Sequence, residues 1–366
     1  LDTNDEAKIT LIKARLSGVT TRLVDTYFIM TINTENTGAS ANNQFTIPTV
    51  AGNSYNVSTS DDQVLNGNTG DLTITFPIAG IYDINISGDF RQIKFNNAGD
   101  KSKLTGVKQW GTIAWTSFAN AFHGCNNFVN YSANDTPNLG NVTRFEHCFN
   151  GASVFNGDIS KWDVSSVTNM VQMFDGATLF NQDLNFWDVS NATVLAGMFA
   201  NTNSFNQNLN SWDVSNVTNM SIMFYKAYSF DKNISSWDVS NVTDMHFMFA
   251  HQGFNQDISS WDVSNVTTMW GMFYDTTQFN QNISSWNVGN VIDMSAMFNR
   301  SVFNQNISNW NVNSVTNMNS MFVRATLFNQ DLSAWNVNPN VTSCGSFDSL
   351  ASSWTLPKPN FTSCTI

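Results

Sequence analysis

Charge is scarce in this 366-residue chain. Only 12% of its residues are Asp, Glu, Lys or Arg. Asn, Ser and Thr replace them, short polar side chains that fit the spacing of stacked β surfaces. Basic residues are the scarcest: 16 Lys and Arg stand against 28 Asp and Glu, for a net charge of −12. Phosphate binding needs a basic surface, so nucleic acid is excluded as a partner and an anionic membrane is disfavoured. No run of 18 apolar residues occurs, so no membrane insertion is expected in this fragment. Cysteine is limited to Cys125, Cys148, Cys344 and Cys364, none at C-x-x-C spacing, which argues against zinc. This number does not fix the compartment, although it permits an oxidising one. Histidine is limited to His123, His147, His246 and His251, at unlike repeat positions. His147 and Cys148 are adjacent and point apart on an extended strand, so they make no dyad. With no Ser-His-Asp order, P-loop or metal spacing, the expectation is that this is not an enzyme and holds no cofactor.

What the chain has instead is a repeat. Trp162, Trp187, Trp212, Trp237, Trp261, Trp286, Trp310 and Trp335 recur every 24 or 25 residues. The unit reads F-N-x-D/N-L/I-x-x-W-D/N-V-x-x-V-T-x-M-x-x-M-F, as in residues 254–273. A fixed period of this size implies a solenoid, one rung per repeat, each burying its apolar side only against its neighbours. Trp110, Phe118 and Phe122 sit at the offsets of Trp237, Met245 and Phe249, which makes Trp110 the ladder residue of a degenerate first rung. The second rung is irregular, with Pro137 in the Trp slot and an insertion at residues 131–137. Trp354 and Leu356 match Trp335 and Val337 at the far end. About eleven rungs at roughly 4.8 Å each would make a rod about 50 Å long.

Within a rung, Leu209, Trp212, Val214 and Val217 resemble the leucine-rich-repeat strand. Alternation turns Trp212 and Val214 inward, and Ser211, Asp213 and Ser215 outward. The M-x-x-M-F spacing suits a helical or 3-10 turn on the returning side. The 24-residue repeats lack one residue between Phe249 and Phe254, and between Phe298 and Phe303. Length variation belongs on a convex loop, which assigns the sheet to the Trp side. The Phe and Met-Phe rows read as core, and Trp270 lies off the ladder. An Asn row, Asn191, Asn216, Asn241, Asn265 and Asn290, reads as inward and as satisfying backbone groups. It also creates N-V-T sequons, so glycosylation stays open beside the structural reading.

The outward rows carry the candidate ligand face. Asp163, Asp188, Asp213, Asp238 and Asp262 align, followed by Asn287, Asn311 and Asn336. Like charges one rung apart repel by about 0.9 kcal/mol even at the dielectric of water. A solvated face with Asp–Ser hydrogen bonds, a ligand face and calcium bridging all remain open, although calcium wants six or more oxygens. This face is short of aromatics, which argues against stacking on sugar rings. Lys161 and Phe186 are the exceptions, both beside the insertion at 131–137, which could rim a pocket. The single Thr row from Thr168 to Thr316, interrupted at Ile292, lacks the flat double array of an ice-binding surface.

Cys344 and Cys364 occupy the first Met slot of successive rungs. Equivalent positions about 4.8 Å apart fall within the Cα separation a disulfide tolerates, so a bridge is expected, the alternative being a stacked reduced pair. Cys125 and Cys148 occupy different slots and read as free thiols, Cys148 in a core Met slot.

Ahead of the repeats, residues 1–22 form a leader segment whose stretch from Lys8 to Arg15 suits a helix or a strand. Residues 23–92 read as a small all-β sandwich, with strands at residues 27–34, around Phe45 and Ile47, and at residues 82–88, and a turn at Asn66 and Gly67. The run T-x-T-F-P-x-A-G-I-Y-D-I-x-I-S-G before Gly88 resembles the last strands of polycystic-kidney-disease-type, immunoglobulin-like domains. Their W-G-D-G turn is missing, and Ser60, Asp61 and Asp62 stand near its place. The solenoid then runs from 93 to 366.

Residues 180–199 and 254–273 resemble, nearly residue for residue, the repeat of BspA-type leucine-rich-repeat bacterial surface proteins. The run G-D-K-x-K-L-x-x-V-x-Q-W-G-T-I-x-W from Gly99 is similar to the N-terminal part of such proteins. The resemblance implies a protein that is secreted or displayed on a bacterial cell surface. It carries over no catalytic residue and no ligand. The expected fold is therefore mainly β, a leucine-rich-repeat solenoid preceded by a small immunoglobulin-like sandwich. The expected function is an adhesion or recognition module, monomeric, binding protein, peptide or polysaccharide on another cell or matrix. A spacer in a larger surface protein, with no ligand of its own, is the alternative. The start at Leu1 reads as a mature fragment of a longer protein.

Overall fold

The computed structural model describes residues 26–364. The leader at 1–22, including the stretch from Lys8 to Arg15, lies outside the described residues. The chain is mainly β with almost no helix; among the described residues the one helical element is a 3-10 turn at Lys101–Lys103.

The N-terminal part holds β1 (Phe28–Asn33), β2 (Gln44–Ile47), β3 (Ser54–Thr59), β4 (Val64–Asn68), β5 (Leu72–Thr75) and β6 (Ile81–Asp89). Two further strands follow, β7 (Leu104–Gln109) and β8 (Asn130–Tyr131). One sheet has the order β4-β3-β6-β1-β7-β8, and β2 pairs with β5 in a second. Phe28, Met30 and Ile32 alternate inward on β1, as Ile84 and Ile86 do on β6, because one face is packed and the other wet. Asn66 and Gly67, expected as a turn, lie inside β4, where Gly67 has φ 66° and the pairing with β3 shifts register. A glycine at positive φ lets the strand bulge instead of reversing. The sheet also crosses residue 92. β7 pairs with β1, and β8 adds in parallel to β7, so the first repeats continue the sheet.

A buried ion pair fastens this junction. Lys103 and Asp100 are both enclosed. Lys103 Nζ donates to the carbonyls of Ser40, Ala41 and Gln44 and to Ser40 Oγ at 2.7–3.1 Å. Asp100 accepts from Ser40 N and Oγ and from Thr46 N at 2.7–2.9 Å. Burial alone would raise the Asp100 carboxyl, but the bonds from Ser40 and Thr46 and the Lys103 charge hold it below its usual range.

From Trp162 onward the rungs repeat in detail. Bridges join Arg144, Asn169, Val194, Asn219, Asp244, Thr268, Asp293, Asn317 and Ser343 in parallel, each one repeat from the next. These positions lie in V-T-x-M, not in W-D-V. The expected sheet on the Trp side is therefore corrected: the main-chain ladder runs along the Met-Phe side. Thr243 N donates back to Thr218 O, then Met220, Ile222, Phe224 and Lys226 N donate forward to Asp244, His246, Met248 and Ala250 O, at 2.8–3.0 Å.

The burial spacing explains this. Met220, Met223, Phe224 and Ala227 are all buried. Steps of three, one and three suit no strand. Successive turns meet them, closed by Met223 N to Met220 O, Tyr225 N to Ile222 O and Ala227 N to Phe224 O. Each turn pair needs two left-handed residues per rung, as at Ile222 (φ 49°) and Lys226 (φ 55°). On the Trp side the donors are consumed within the rung. Trp212 N bonds Leu209 O, Ser215 N bonds Asp213 Oδ1, and Val217 N bonds Val214 O. Side chains then join the rungs: ladder indoles from Trp187 to Trp335 donate Nε1 to the preceding rung's Ile or Leu carbonyl at 2.8–3.2 Å.

The Asn row is corrected in orientation. Asn191, Asn216, Asn241, Asn265 and Asn290 are exposed, not inward. Each still donates Nδ2 to the carbonyl of a Ser in the rung before, at 2.7–2.8 Å. The irregular rung is patched by Tyr131. Its hydroxyl accepts from Trp110 Nε1 at 2.9 Å and Trp162 Nε1 at 3.2 Å, and the two indoles meet edge-on across the rung that has Pro137. At the far end Trp354 is buried, but Leu356, expected in a core Val slot, is exposed.

Trp237 is 3% exposed, stacks 6.4 Å from both Trp212 and Trp261, and bonds Leu209 O. Trp237→Ala should cost on the order of 3–5 kcal/mol. Trp270, 44% exposed, should cost much less as Ala. Paired thermal melts check this, and equal shifts would show the register to be misassigned. The structure bridges Cys344 and Cys364, Cα atoms 6.1 Å apart, and leaves Cys125 and Cys148 buried and free. Denatured, unreduced protein should therefore expose two alkylatable thiols by mass spectrometry. Closing this loop should contribute roughly 3 kcal/mol, read as a lower midpoint after reduction.

Candidate functional site

The outward Asp row has a local role. Asp163, Asp188, Asp213, Asp238 and Asp262 are exposed, and each Oδ1 accepts the backbone N–H two residues on, at 3.0–3.1 Å. Asn287 and Asn311 accept the same bond from Gly289 and Asn313. Only an acceptor oxygen is needed, which is why Asp gives way to Asn along the row. Asp–Ser hydrogen bonds thus run within a rung. Among the described residues, no group of three or more Asp, Glu, His or Cys is placed to hold a metal ion.

Lys161 reaches the insertion. With Tyr131, Asp135, Asp158 and Trp162 it lines a cavity of about 260 Å³. Phe186 does not line it and stands 84% exposed. Several lining groups are already engaged. Asp135 accepts the Trp110 and Gly111 N–H groups at 2.8–3.1 Å, and Tyr131 holds two indoles. Burial pushes the Tyr131 phenol up, partly offset by those indoles.

A second site escapes a reading of the Trp side alone. It lies on the Met-Phe side, where the x positions of M-x-x-M-F-x-x face outward. In most rungs these positions are small or polar. Across three rungs they include Ile222, Tyr225, His246, Phe247, His251, Trp270 and Tyr274. Phe247 sits edge-on to Trp270 at 4.6 Å and to Tyr225 and Tyr274 at 6.2 and 6.0 Å. His251 lies between Tyr225 and Tyr274, 5.4 and 4.9 Å away, and its Nδ1 is 3.0 Å from Asp275. The Trp270 indole lies nearly parallel to the His246 ring at 5.8 Å. Space for Phe247 exists because its neighbour one rung on is Gly271: a Cβ there would fall 2.3 Å from the Phe247 ring. Phe247 is itself held at φ 51°, and β-branched Ile222 at φ 49°. Bulky residues are uncommon in this region.

Ile222, Tyr225, Phe247, His251, Trp270 and Tyr274 line a groove of about 560 Å³ with Gln172, Asp175 and Asn201 at one end. Burial raises the Asp175 carboxyl, against hydrogen bonds from Asn201 and Gln172 that lower it. Past Trp270 and Ala296 a second hollow of about 460 Å³ continues over Asp293, Ser295, Asn299, Asn317, Asn319, Ser320 and Ser343. Two of the four histidines thus touch this aromatic cluster from unlike repeat positions, His251 within the groove and His246 against Trp270. His123 and His147 stack separately, 5.6 Å apart. The sequence signal for the groove was Trp270 off the ladder, one rung from Phe247 and close to Tyr274.

The Asp163 carboxyl is held below its ordinary value of 3.8 by the Ser165 hydroxyl at 2.6 Å and the Ser165 N–H at 3.1 Å. A lowered folded value means that this contribution is present above the ordinary value and is lost as pH falls through the lowered one. Asp163→Asn should retain neutral-pH stability within about 0.5 kcal/mol and flatten the acid limb. Asp163→Ala should lose roughly 0.5–1.5 kcal/mol at pH 7. Urea melts at pH 7 and in the acid range distinguish the three proteins.

No curated protein and no solved structure matches this chain. A family model described as "Mycoplasma protein of unknown function, DUF285" matches three overlapping stretches, residues 116–227, 207–302 and 252–355. Each match begins and ends within the stacked repeats, and together they span well over half of the sequence. The chain therefore belongs to the DUF285 repeat family.

Proposed function

We propose that this protein is a recognition module of a bacterial surface or secreted protein, a solenoid of the BspA type that binds its ligand through the aromatic groove. The immunoglobulin-like reading of residues 23–92 belongs to the same proposal, as a base on which the array is mounted. One observation carries it. Tyr225, Phe247, Trp270 and Tyr274 gather at one place, whereas exposed apolar residues elsewhere on the repeats, such as Leu179, Phe186 and Leu327, line neither this groove nor the Lys161 cavity. Clustered, half-open aromatics with a few polar groups at the edge are what ligand sites are built from. The cavity at Lys161 is less suited, because Tyr131 and Asp135 are spent on the irregular rung. The spacer reading is favoured only by the uniformity of the remaining surface.

A recognition module should bind at least one component of an array of matrix proteins, peptides and glycans. Tyr225→Ser/Tyr274→Ser should lose that signal by about tenfold or more, with an unchanged melting profile. If the wild-type protein binds nothing, the spacer reading takes over. If it binds and the double variant binds equally well, the groove is not the site.

A further inference from the structure

Resting on the groove as the binding site, we infer that its ligand is a neutral polysaccharide, with one sugar ring seated against Trp270 in the hollow over Asn299. The indole has two faces. One lies against His246, 5.8 Å away and 23° from parallel. On the other side the next rung carries Ser295, a small residue, in the same slot, and there the hollow of about 460 Å³ opens. A flat aromatic wall of this kind suits the C–H face of a pyranose, because the ring's negative face attracts the slightly positive hydrogens.

The floor supplies the complement to hydroxyl groups. Asn299 is 9% exposed and its Oδ1 has no hydrogen-bond partner among the described residues. A buried acceptor left unpaired costs stability unless something completes it. Beside it lie the Asn319 amide and the Ser320 and Ser343 hydroxyls. Asp293 is braced by Ser295 N and Oγ at 2.6–2.8 Å and by Asn317 Nδ2 at 3.0 Å, so it is oriented before any ligand arrives. Amides, hydroxyls and one fixed carboxylate around an aromatic wall match vicinal hydroxyl groups.

The charge decides between sugar classes. Asp175 and Asp293 line the two hollows, and the Lys226 ammonium lies outside the lining, 5.1 Å over the Tyr225 ring. The chain carries −12 overall. A sulfated or uronic-acid polymer would bring like charge to these carboxylates, whereas a neutral chain does not. Trp270 lines both hollows, so a chain held there would continue over Phe247 and Tyr274.

The test is native affinity electrophoresis and calorimetry with soluble β-glucan, xylan and galactomannan, and with hyaluronan as the anionic comparator. At least one neutral polymer should bind. Trp270→Ala should weaken it by about tenfold or more, and Asn299→Ala severalfold, both keeping the wild-type melting profile. Binding of a neutral polymer that survives Trp270→Ala, or a preference for hyaluronan, overturns the inference. If all four polymers fail while Tyr225→Ser/Tyr274→Ser still abolishes binding to a matrix protein or peptide, the sugar assignment is wrong and the groove reading stands.

Discussion

The repeats depend on a main-chain ladder that points mostly one way. In each regular rung donors of the Met-Phe stretch reach forward to the carbonyls of the next rung, and fewer reach back, chiefly the one in the Thr slot. No rung can satisfy these groups alone, and a buried donor without a partner is costly. Stability is therefore a property of neighbouring pairs. The Phe rows follow from it: Phe224 stacks at 5.8 Å on Phe199 and at 5.9 Å on Phe249, because the backbone ladder has already fixed the offset. The two left-handed residues per rung are the conformational requirement of that ladder.

This arrangement divides the surface into two kinds. On the Trp side, side chains act as mortar. The indoles and the Asn row are engaged between rungs, and so are the Thr hydroxyls where the ladder begins, which bond the previous Thr carbonyl at 3.0–3.3 Å. The Asp row is engaged within them. A side chain that the stack consumes is poorly placed to hold a ligand. On the Met-Phe side the backbone does the joining, so the outward side chains are free to vary. Aromatic residues collect there without disturbing the ladder.

The junction with the N-terminal sheet obeys a different constraint. A first rung has no predecessor to receive its backward contacts, so it must be closed by something else. β7 and β8 close it by pairing into the sheet with β1. Tyr131 bridges the indoles on either side of the rung with Pro137, and Asp100 with Lys103 fastens β2 across the join. The sequence run from Gly99 is thus a fastening in which Asp100 and Lys103 are enclosed, in a chain where charge is otherwise rare.

What the sequence determined by itself was the period, the buried set and the special ends. Trp237, Val239, Met245, Met248 and Phe249 are buried because apolar residues recurring at one offset have no other place to go. The slot identity of Cys344 and Cys364 placed them one rung apart. Which stretch carries the ladder was decided only in three dimensions. The short W-D-V looks like a strand, but its donors are captured by the Asp and by turns, and local capture is invisible in a pattern of apolar residues. The outward turn of the Asn row is invisible for the same reason, since its amides bond a carbonyl of the rung before while exposed. The groove, too, belongs to tertiary structure. Ile222, Phe247, Trp270 and Tyr274 sit in different slots of different repeats, and only stacking, with Gly271 leaving room for a ring, brings them together.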